Sequence, residues 1–142
     1  MLEAKTVMKT TLITVKKDTP IYDAIDLLSK NRITGLPVIN DDMTLAGIVS
    51  EKDVLSLLDE LDNLLMIDEL KDSTATVDDF MTKDVVSFDA EEDLFDVCDC
   101  LIENNFRRVP ITSEGKLVGI ITRGDIVAYI LKLRSMEKEA LH

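Results

Sequence analysis

One pattern of residues occurs twice in this chain, and this internal repeat limits the possible folds more than any other feature. The segments "GIVSEKDVL" (47–55) and "GIITRGDIV" (119–127) both join an apolar run to a hydroxyl residue, with Asp three residues later. Upstream, Met8 aligns with Met81. The spacing between the two repeats then shortens by one residue in a later turn, where "INDDMT" aligns with "TSEGK". A duplication of this length predicts two similar units, each too small to be comfortably stable alone.

Both repeats have the same predicted order of secondary structure. A short extended piece ("TLITV" or "DVVSF") precedes a helix with apolar residues at i, i+3, i+4 and i+7. Two apolar, β-branched strands follow ("LPVIN" and "LAGIVS", or "RVPIT" and "LVGIIT"), and a second helix closes the repeat. The order β-α-β-β-α, found twice, predicts a mixed α/β (α+β) fold with helices packed on small sheets. We place the units at residues 1–71 and 72–142.

Charge and cysteine content exclude several classes of function. The chain has 28 acidic and 16 basic residues and a formal net charge of −12, which disfavours binding to nucleic acid or anionic lipid. No apolar run reaches the roughly 18 residues of a membrane span, and no signal peptide is evident, so we expect a cytoplasmic protein. Cys98 and Cys100 point to different helix faces, and His142 is the only histidine, which predicts no metal site.

The repeated Ser/Thr-x-x-Asp pattern supports two roles. Ser50 with Asp53, and Thr122 with Asp125, stand between a strand and an apolar helix and match a capping box, which satisfies helix N–H groups. A carboxylate at such a junction also lies where α/β folds form ligand crevices. Its two oxygens suit the two hydroxyl groups of a ribose, and the helix amides attract phosphate. The capping role alone could explain the pattern.

The repeated motifs resemble those of a known family. "GLPVIN…LAGIVSEKDVL", "RRVPIT…LVGIITRGDIV" and a leading Met–Thr/Ser–apolar pattern are similar to a tandem pair of cystathionine β-synthase (CBS) domains, a Bateman module of stand-alone prokaryotic type. The resemblance runs from about Val7 to Leu133. It implies two β-α-β-β-α units packed through their sheets with pseudo-two-fold symmetry. It also implies that AMP, ADP, ATP or S-adenosylmethionine binds in clefts between the two units.

The resemblance assigns roles to individual residues. The ribose-binding acids are matched by Asp53 and Asp125. The positions of hydroxyl or phosphate contacts are matched by Ser50, Lys52, Arg107, Arg108, Thr122 and Arg123. The adenine site and cleft wall are matched by Ile13, Ile33, Thr34, Ile48, Val86, Phe106, Ile120 and Gly124.

The two clefts differ in charge. Arg107, Arg108 and Arg123 present donors suited to phosphate on the Asp125 side, although a solvated or ion-paired surface explains the same arginines. Lys52 either pairs with phosphate or fills the Asp53 cleft. Phe106 suits the core as well as it suits base stacking.

Two functions of different classes follow from these features. The first is a regulatory module that binds an adenosine ligand, senses energy state and controls a separate partner protein, with no required cofactor. The alternative is a ligand-free pair that serves dimerisation or protein interaction. We expect a homodimer in either case, because the closing helices are apolar on more than one face. Enzymatic activity is not expected, since the chain lacks a Ser–His or Cys–His pair, metal-ligand spacing and a P-loop.

Overall fold

A computed structural model, which describes residues 1–59 and 74–140, contains the expected elements in both repeats. The first repeat forms α1 (Ile21–Asn31), β1 (Gly35–Ile39), β2 (Leu45–Ser50) and α2 (Glu51–Asp59). The second forms β3 (Phe88–Asp89), α3 (Leu94–Glu103), β4 (Arg108–Ser113), β5 (Lys116–Thr122) and α4 (Arg123–Ala140). Short 3₁₀ helices at Ala4–Thr6 and Val77–Asp79 precede the repeats. The predicted mixed α/β class is confirmed.

The strands of the two repeats pair in the same way. β1 is antiparallel to β2, and β4 is antiparallel to β5. β3 adds a parallel strand beside β4. In the first repeat the corresponding extended piece makes only a single parallel bridge, from Val15 to Val38. The first predicted strand therefore exists as a short strand in one repeat and as one bridge in the other.

The turn between the paired strands accounts for the change in repeat spacing. Glu114 and Gly115 join β4 to β5 with φ angles of 53° and 79°. Positive φ at both central residues is the signature of a two-residue type I′ hairpin turn. The β1–β2 turn is longer and contains Met43, whose φ of 73° also lies in the left-handed region. The predicted length change in this turn is confirmed.

The apolar helix faces form the cores together with the strands. In α1, Ile21, Ala24 and Leu28 are buried, and α3 buries the matching residues Leu94, Val97 and Leu101. β1 is buried along its whole length. The predicted i, i+3 and i+7 positions are thus buried in both helices, and the predicted i+4 residues, Ile25 and Cys98, are partly buried against the cores. Fully burying one such aliphatic side chain contributes about 1.5–3 kcal/mol.

The chain divides into two compact units that do not follow the order of the repeats. The first unit is Ile13–Val85, and the second combines Met1–Leu12 with Val86–His142. We call residues 3–9 and 76–82 the leading segments. Each leading segment packs on the repeat to which it does not belong in sequence. The bridges are Glu3 to Asp93, Lys9 to Ile120, Thr76 to Pro20, and Thr82 to Ile48.

This exchange differs from the expectation that residues 1–71 form one unit, because backbone pairing carries Met1–Leu12 to the second repeat. The predicted boundary at residues 71–72 itself lies outside the described residues. In the described part of the chain, no helix combines the length and the apolar character that crossing a bilayer requires.

Candidate nucleotide site

A glycine in the second strand of each antiparallel pair, β2 or β5, lets a leading segment approach the sheet. A Cβ atom on Gly47 would lie 2.5 Å from the carbonyl oxygen of Thr82. A Cβ atom on Gly119 would collide with the Met8 side chain and lie 3.0 Å from the carbonyl oxygen of Lys9. Residues without a Cβ are needed where backbones approach this closely. The two glycines thus place the residues at positions 82 and 9 against the sheets.

Asp53 stands at the start of α2 and faces one of these leading segments. Its Oδ2 accepts hydrogen bonds from the Ser50 amide at 2.8 Å and the Ser50 hydroxyl at 3.0 Å. The Asp53 amide donates in return to Ser50 Oγ at 3.3 Å. Its Oδ1 accepts from the Thr82 hydroxyl at 3.3 Å. One carboxylate oxygen therefore closes the helix cap, and the other contacts the leading segment.

Asp125 repeats this arrangement at the start of α4, with one difference in charge. Its Oδ2 accepts from the Thr122 amide at 2.9 Å, and its amide donates to Thr122 Oγ1 at 3.2 Å. Its Oδ1 forms an ion pair with Lys9 Nζ at 3.2 Å. The Asp125 side chain is only 9% exposed, whereas that of Lys9 is 67% exposed. Lys9 thus has the same position beside Asp125 as Thr82 has beside Asp53.

These contacts confirm the predicted capping boxes. In both, the hydroxyl of the capping residue accepts from the third helical N–H, and the acid accepts from the capping residue's own N–H. They also limit which carboxylate oxygens could contact a ribose, for which two oxygens of each acid were predicted. Since Oδ2 already serves the cap, a sugar would bind mainly at Oδ1, and only Asp125 keeps a further lone pair on Oδ2.

Replacing either capping hydroxyl should destabilise the fold without any ligand. We expect Ser50→Ala and Thr122→Ala each to lower the free energy of unfolding by about 0.5–2 kcal/mol, because a helix N–H loses its acceptor. Chemical denaturation measures the change. Ser29→Ala, on the exposed surface of α1, is the control and should not lower stability. Unchanged stability in both capping variants would contradict the capping role.

The first residues of β1 and β4 lie directly beside the capping residues. Arg108 pairs with Thr122 across the β4–β5 ladder, and the Arg107 carbonyl accepts from the Arg123 amide at 3.4 Å. In the first unit, the Thr34 carbonyl accepts from the Glu51 amide at 2.9 Å. The second unit therefore gathers two arginines beside the cap, where the first unit has Thr34 and a glycine.

Arg123 has a structural role that the sequence did not predict. Its Nε donates to the Phe106 carbonyl at 2.8 Å, and its Nη2 donates to the Leu101 carbonyl at 3.0 Å and to Asn105 Oδ1 at 2.9 Å. These bonds tie the start of α4 to the carboxyl end of α3 and the following loop. The acceptors of these three bonds are neutral oxygens, and Arg123 is exposed to solvent, in line with the solvated form of the predicted alternative.

The other predicted site residues fall into three groups by burial. The buried cleft-wall residues are Ile48 and Ile120, each 9% exposed. Those partly buried against a core are Ile13, Ile33 and Phe106. Those exposed to solvent are Lys52, Val86, Arg107 and Gly124. Phe106 thus packs against the core of the second unit, in line with one of its two predicted roles.

Sequence reasoning missed the residues that contact the two acids from the leading segments. Lys9 and Thr82 take equivalent places, one residue after the aligned Met8 and Met81. The alignment of the two methionines already indicates that Lys9 and Thr82 are equivalent positions. However, nothing local in the sequence indicates that a leading segment pairs with the other repeat.

Among the described residues, the Cys98 thiol does not mark a second, nucleophilic site. Burial raises the pKa of the Cys98 thiol, and nearby Asp99 adds to this effect. A raised pKa leaves less thiolate at neutral pH, which is unfavourable for a nucleophile. Within residues 1–59 and 74–140, no three His, Cys, Asp or Glu side chains are grouped so that they could hold a metal ion.

Sequence comparison identifies relatives with the same repeat. Uncharacterized protein MJ1225 from Methanocaldococcus jannaschii is 35% identical over 122 residues, covering 85% of this chain and 40% of that protein. The chain likewise spans 62% and 59% of the chloroplastic Arabidopsis thaliana proteins CBSX1 and CBSX2. These curated relatives are therefore longer than the segment they share with this chain.

Solved structures have the same fold. The structure of CBSX2 in complex with AMP is 36% identical, with a TM-score of 0.81, covering 94% of this chain and 99% of that one. The CBS domain pair of MJ0100, solved with 5′-methylthioadenosine and S-adenosyl-L-methionine, has a TM-score of 0.72 at 23% identity, covering 92% and 96%. The latter similarity supports the fold alone.

The family model for the CBS domain matches the chain twice, over residues 4–60 and 77–132. Each match contains one strand–helix junction with its capping acid, Asp53 or Asp125. The chain therefore belongs to the CBS-domain family and carries two CBS domains in tandem.

Proposed function

We propose that this protein is a regulatory module that binds an adenosine-containing ligand and has no catalytic activity of its own. The observation that carries the proposal is the pair of acids at equivalent strand–helix junctions, each with one carboxylate oxygen outside the helix cap. The AMP complex of CBSX2, at 36% identity over nearly the whole chain, supports the same ligand class. Control of a separate partner protein and the sensing of energy state belong to this proposal, and the cytoplasmic location stays a prediction.

In the second unit, the proposed contacts follow from charge and hydrogen-bonding capacity. Asp125 would accept the ribose hydroxyl groups, since an ionised carboxylate is a strong acceptor. Arg107 and Arg108 would hold the phosphate, because the arginine fork matches phosphate oxygens. Thr122 links Asp125 to these arginines, because it caps the same helix as Asp125 and pairs with Arg108 across the β4–β5 ladder. Ile120, which adjoins the leading segment, would contribute apolar surface for the base.

A calorimetric titration with AMP, ADP, ATP and S-adenosylmethionine tests the proposal. We expect heat of binding and an increase in melting temperature with at least one member of this panel, since a ligand of the folded state stabilises it by mass action. Inosine monophosphate is a control for the base. Absence of both signals at millimolar concentrations would reject the ligand-binding function.

Arg107→Ala should separate the phosphate contact from the contacts to the nucleoside. We expect AMP to bind about tenfold more weakly, because a charge-assisted hydrogen bond is lost. Adenosine binding should stay nearly unchanged, since adenosine has no phosphate. Lys116→Ala, an exposed position in the same unit, is the control for loss of one positive charge. An equal loss for AMP and adenosine would assign Arg107 another role.

The alternative function, a ligand-free interaction module, is favoured by one feature of α4. Val127, Ile130 and Leu131 share a helix face at i, i+3 and i+4 spacing, and each is 58–60% exposed. Leu133 and Met136 extend the exposed apolar surface. Continuous apolar surface of this kind marks a protein interface. A second copy of this chain is the occupant that we propose, whether or not the acids bind a ligand.

The proposed homodimer predicts a specific change of mass. At micromolar concentration, light scattering should give twice the mass of the chain. Leu131→Glu should shift the protein toward monomer, because a charge cannot be buried in an apolar interface without a large cost. Lys132→Glu, which lies off the Val127–Leu131 face, should leave the mass unchanged. A monomeric wild-type protein would contradict the dimer.

A further inference from the structure

We infer that Lys9 is a specificity-determining residue, which makes the Asp125 site select nucleotides over neutral nucleosides, whereas Thr82 imposes no such selection at Asp53. The inference rests on the proposed function and assigns a role to two residues outside the repeated Ser/Thr-x-x-Asp pattern. It concerns how the two acids of one chain come to have different ligand preferences.

The positions of these two residues are equivalent in the two units. Lys9 exchanges two backbone hydrogen bonds with Ile120, at 2.9 and 3.0 Å, and Thr82 exchanges two with Ile48, at 3.0 and 2.8 Å. Both backbones lie close to a strand glycine. The side chain at this position is therefore held over Oδ1 of the capping acid in each unit. The chemical difference between the units is the ammonium group of Lys9 against the hydroxyl group of Thr82.

The two side chains affect a ribose differently. Thr82 donates one hydrogen bond to Asp53 and keeps lone pairs of its own, so a sugar hydroxyl can join the same network. Lys9 has only donors and forms an ion pair with Asp125, whose side chain is 9% exposed. A ribose at Asp125 Oδ1 must therefore compete with an ammonium group that already satisfies this oxygen.

A phosphate changes this competition. When sugar hydroxyl groups take Oδ1, the displaced ammonium group loses its anionic partner. A nucleotide brings a new anion to the site, whereas adenosine does not. The long, largely exposed Lys9 side chain can move to that anion, so the cost of breaking the ion pair is offset only by a charged ligand. Selection for nucleotides follows from this difference.

Titrations of AMP and adenosine in an Asp53→Asn background isolate the Asp125 site. Adding Lys9→Met, which keeps the apolar stem, should tighten adenosine binding by about threefold to tenfold, since an ion pair no longer competes. AMP binding should not tighten to the same extent, so the ratio of the two dissociation constants should fall. The control is Lys5→Met, because Lys5 carries the same charge in the same segment but pairs with Glu3.

The salt dependence of adenosine binding provides an independent readout. Raising NaCl from about 0.05 M to about 0.5 M should tighten adenosine binding while Lys9 is present, because salt screens the competing ion pair. The Lys9→Met variant has no ammonium group beside Asp125, so the same change of salt should leave its affinity for adenosine nearly constant. An equal response to salt in the two proteins would contradict competition by Lys9.

The reciprocal substitution, Thr82→Lys in an Asp125→Asn background, should weaken adenosine binding at Asp53 and spare AMP. Unliganded melting temperatures identify any variant that has lost its fold. An unchanged AMP-to-adenosine ratio in folded Lys9→Met, or the same change in Lys5→Met, would overturn the role of Lys9 while the proposed function stands. No binding of either compound to the wild-type protein would overturn the proposed function and this inference together.

Discussion

Gly47→Ala is expected to lower the free energy of unfolding by about 1–3 kcal/mol, the usual cost of inserting a methyl group into packed surroundings. The new Cβ atom would lie 2.5 Å from the Thr82 carbonyl oxygen, which belongs to backbone and cannot rotate away. The leading segment must therefore move, and its two hydrogen bonds with Ile48 weaken as a result.

Gly119→Ala is the matched comparison because it occupies the same place in the other unit. Its Cβ atom would meet mainly the Met8 side chain, a flexible group that can adopt another rotamer. We expect a smaller loss of stability than for Gly47→Ala. Gly124→Ala is the control, since its Cβ atom would have only an ordinary contact of 3.7 Å with Thr122 Oγ1. Urea denaturation ranks the three variants, and equal stability of all three would contradict the close packing of the leading segments.

Asp125→Asn is expected to weaken AMP binding by about tenfold to a hundredfold, because charge-assisted hydrogen bonds to the ribose are worth roughly 1.5–3 kcal/mol. The amide is a better choice than alanine, since its oxygen can still accept from the Thr122 amide and preserve the helix cap. Isothermal titration calorimetry measures the change. Asp96→Asn, in the first turn of α3, is the control for loss of one negative charge near a helix start.

The same substitution at the other acid shows how the ligand divides between the two units. Asp53→Asn should have a smaller effect on AMP binding than Asp125→Asn, because the first unit has Thr34 and a glycine where the second has two arginines. If Asp53→Asn abolished binding and Asp125→Asn did not, the ribose would belong to the first unit, and our assignment of the phosphate to Arg107 and Arg108 would be wrong.

Local features of this fold could be predicted well from the sequence. The i, i+3, i+4, i+7 spacing located the core-facing sides of α1 and α3, and the Ser/Thr-x-x-Asp pattern located both capping boxes. These features depend on residues within one or two turns of each other, so periodicity and spacing contain the necessary information.

Features that depend on distant pairing could not be predicted in this way. Arg123 bonds to Leu101 and Phe106 because α4 begins beside the loop that follows α3, which is a tertiary arrangement. The ion pair of Lys9 with Asp125 joins residues that lie far apart in the sequence. Hydrophobic patterning alone does not specify which leading segment pairs with which repeat, because both leading segments carry the same Met at the aligned position.

The crossed placement of the leading segments has a consequence for synthesis on the ribosome. Residues 76–82 emerge after their partners Pro20 and Ile48 have been made, so Ile13–Val85 can fold while translation continues. Residues 3–9 emerge before both repeats, but their partners include Asp93 and Ile120, which are made much later. The native pairing of this leading segment therefore cannot be complete until Ile120 in β5 has left the exit tunnel.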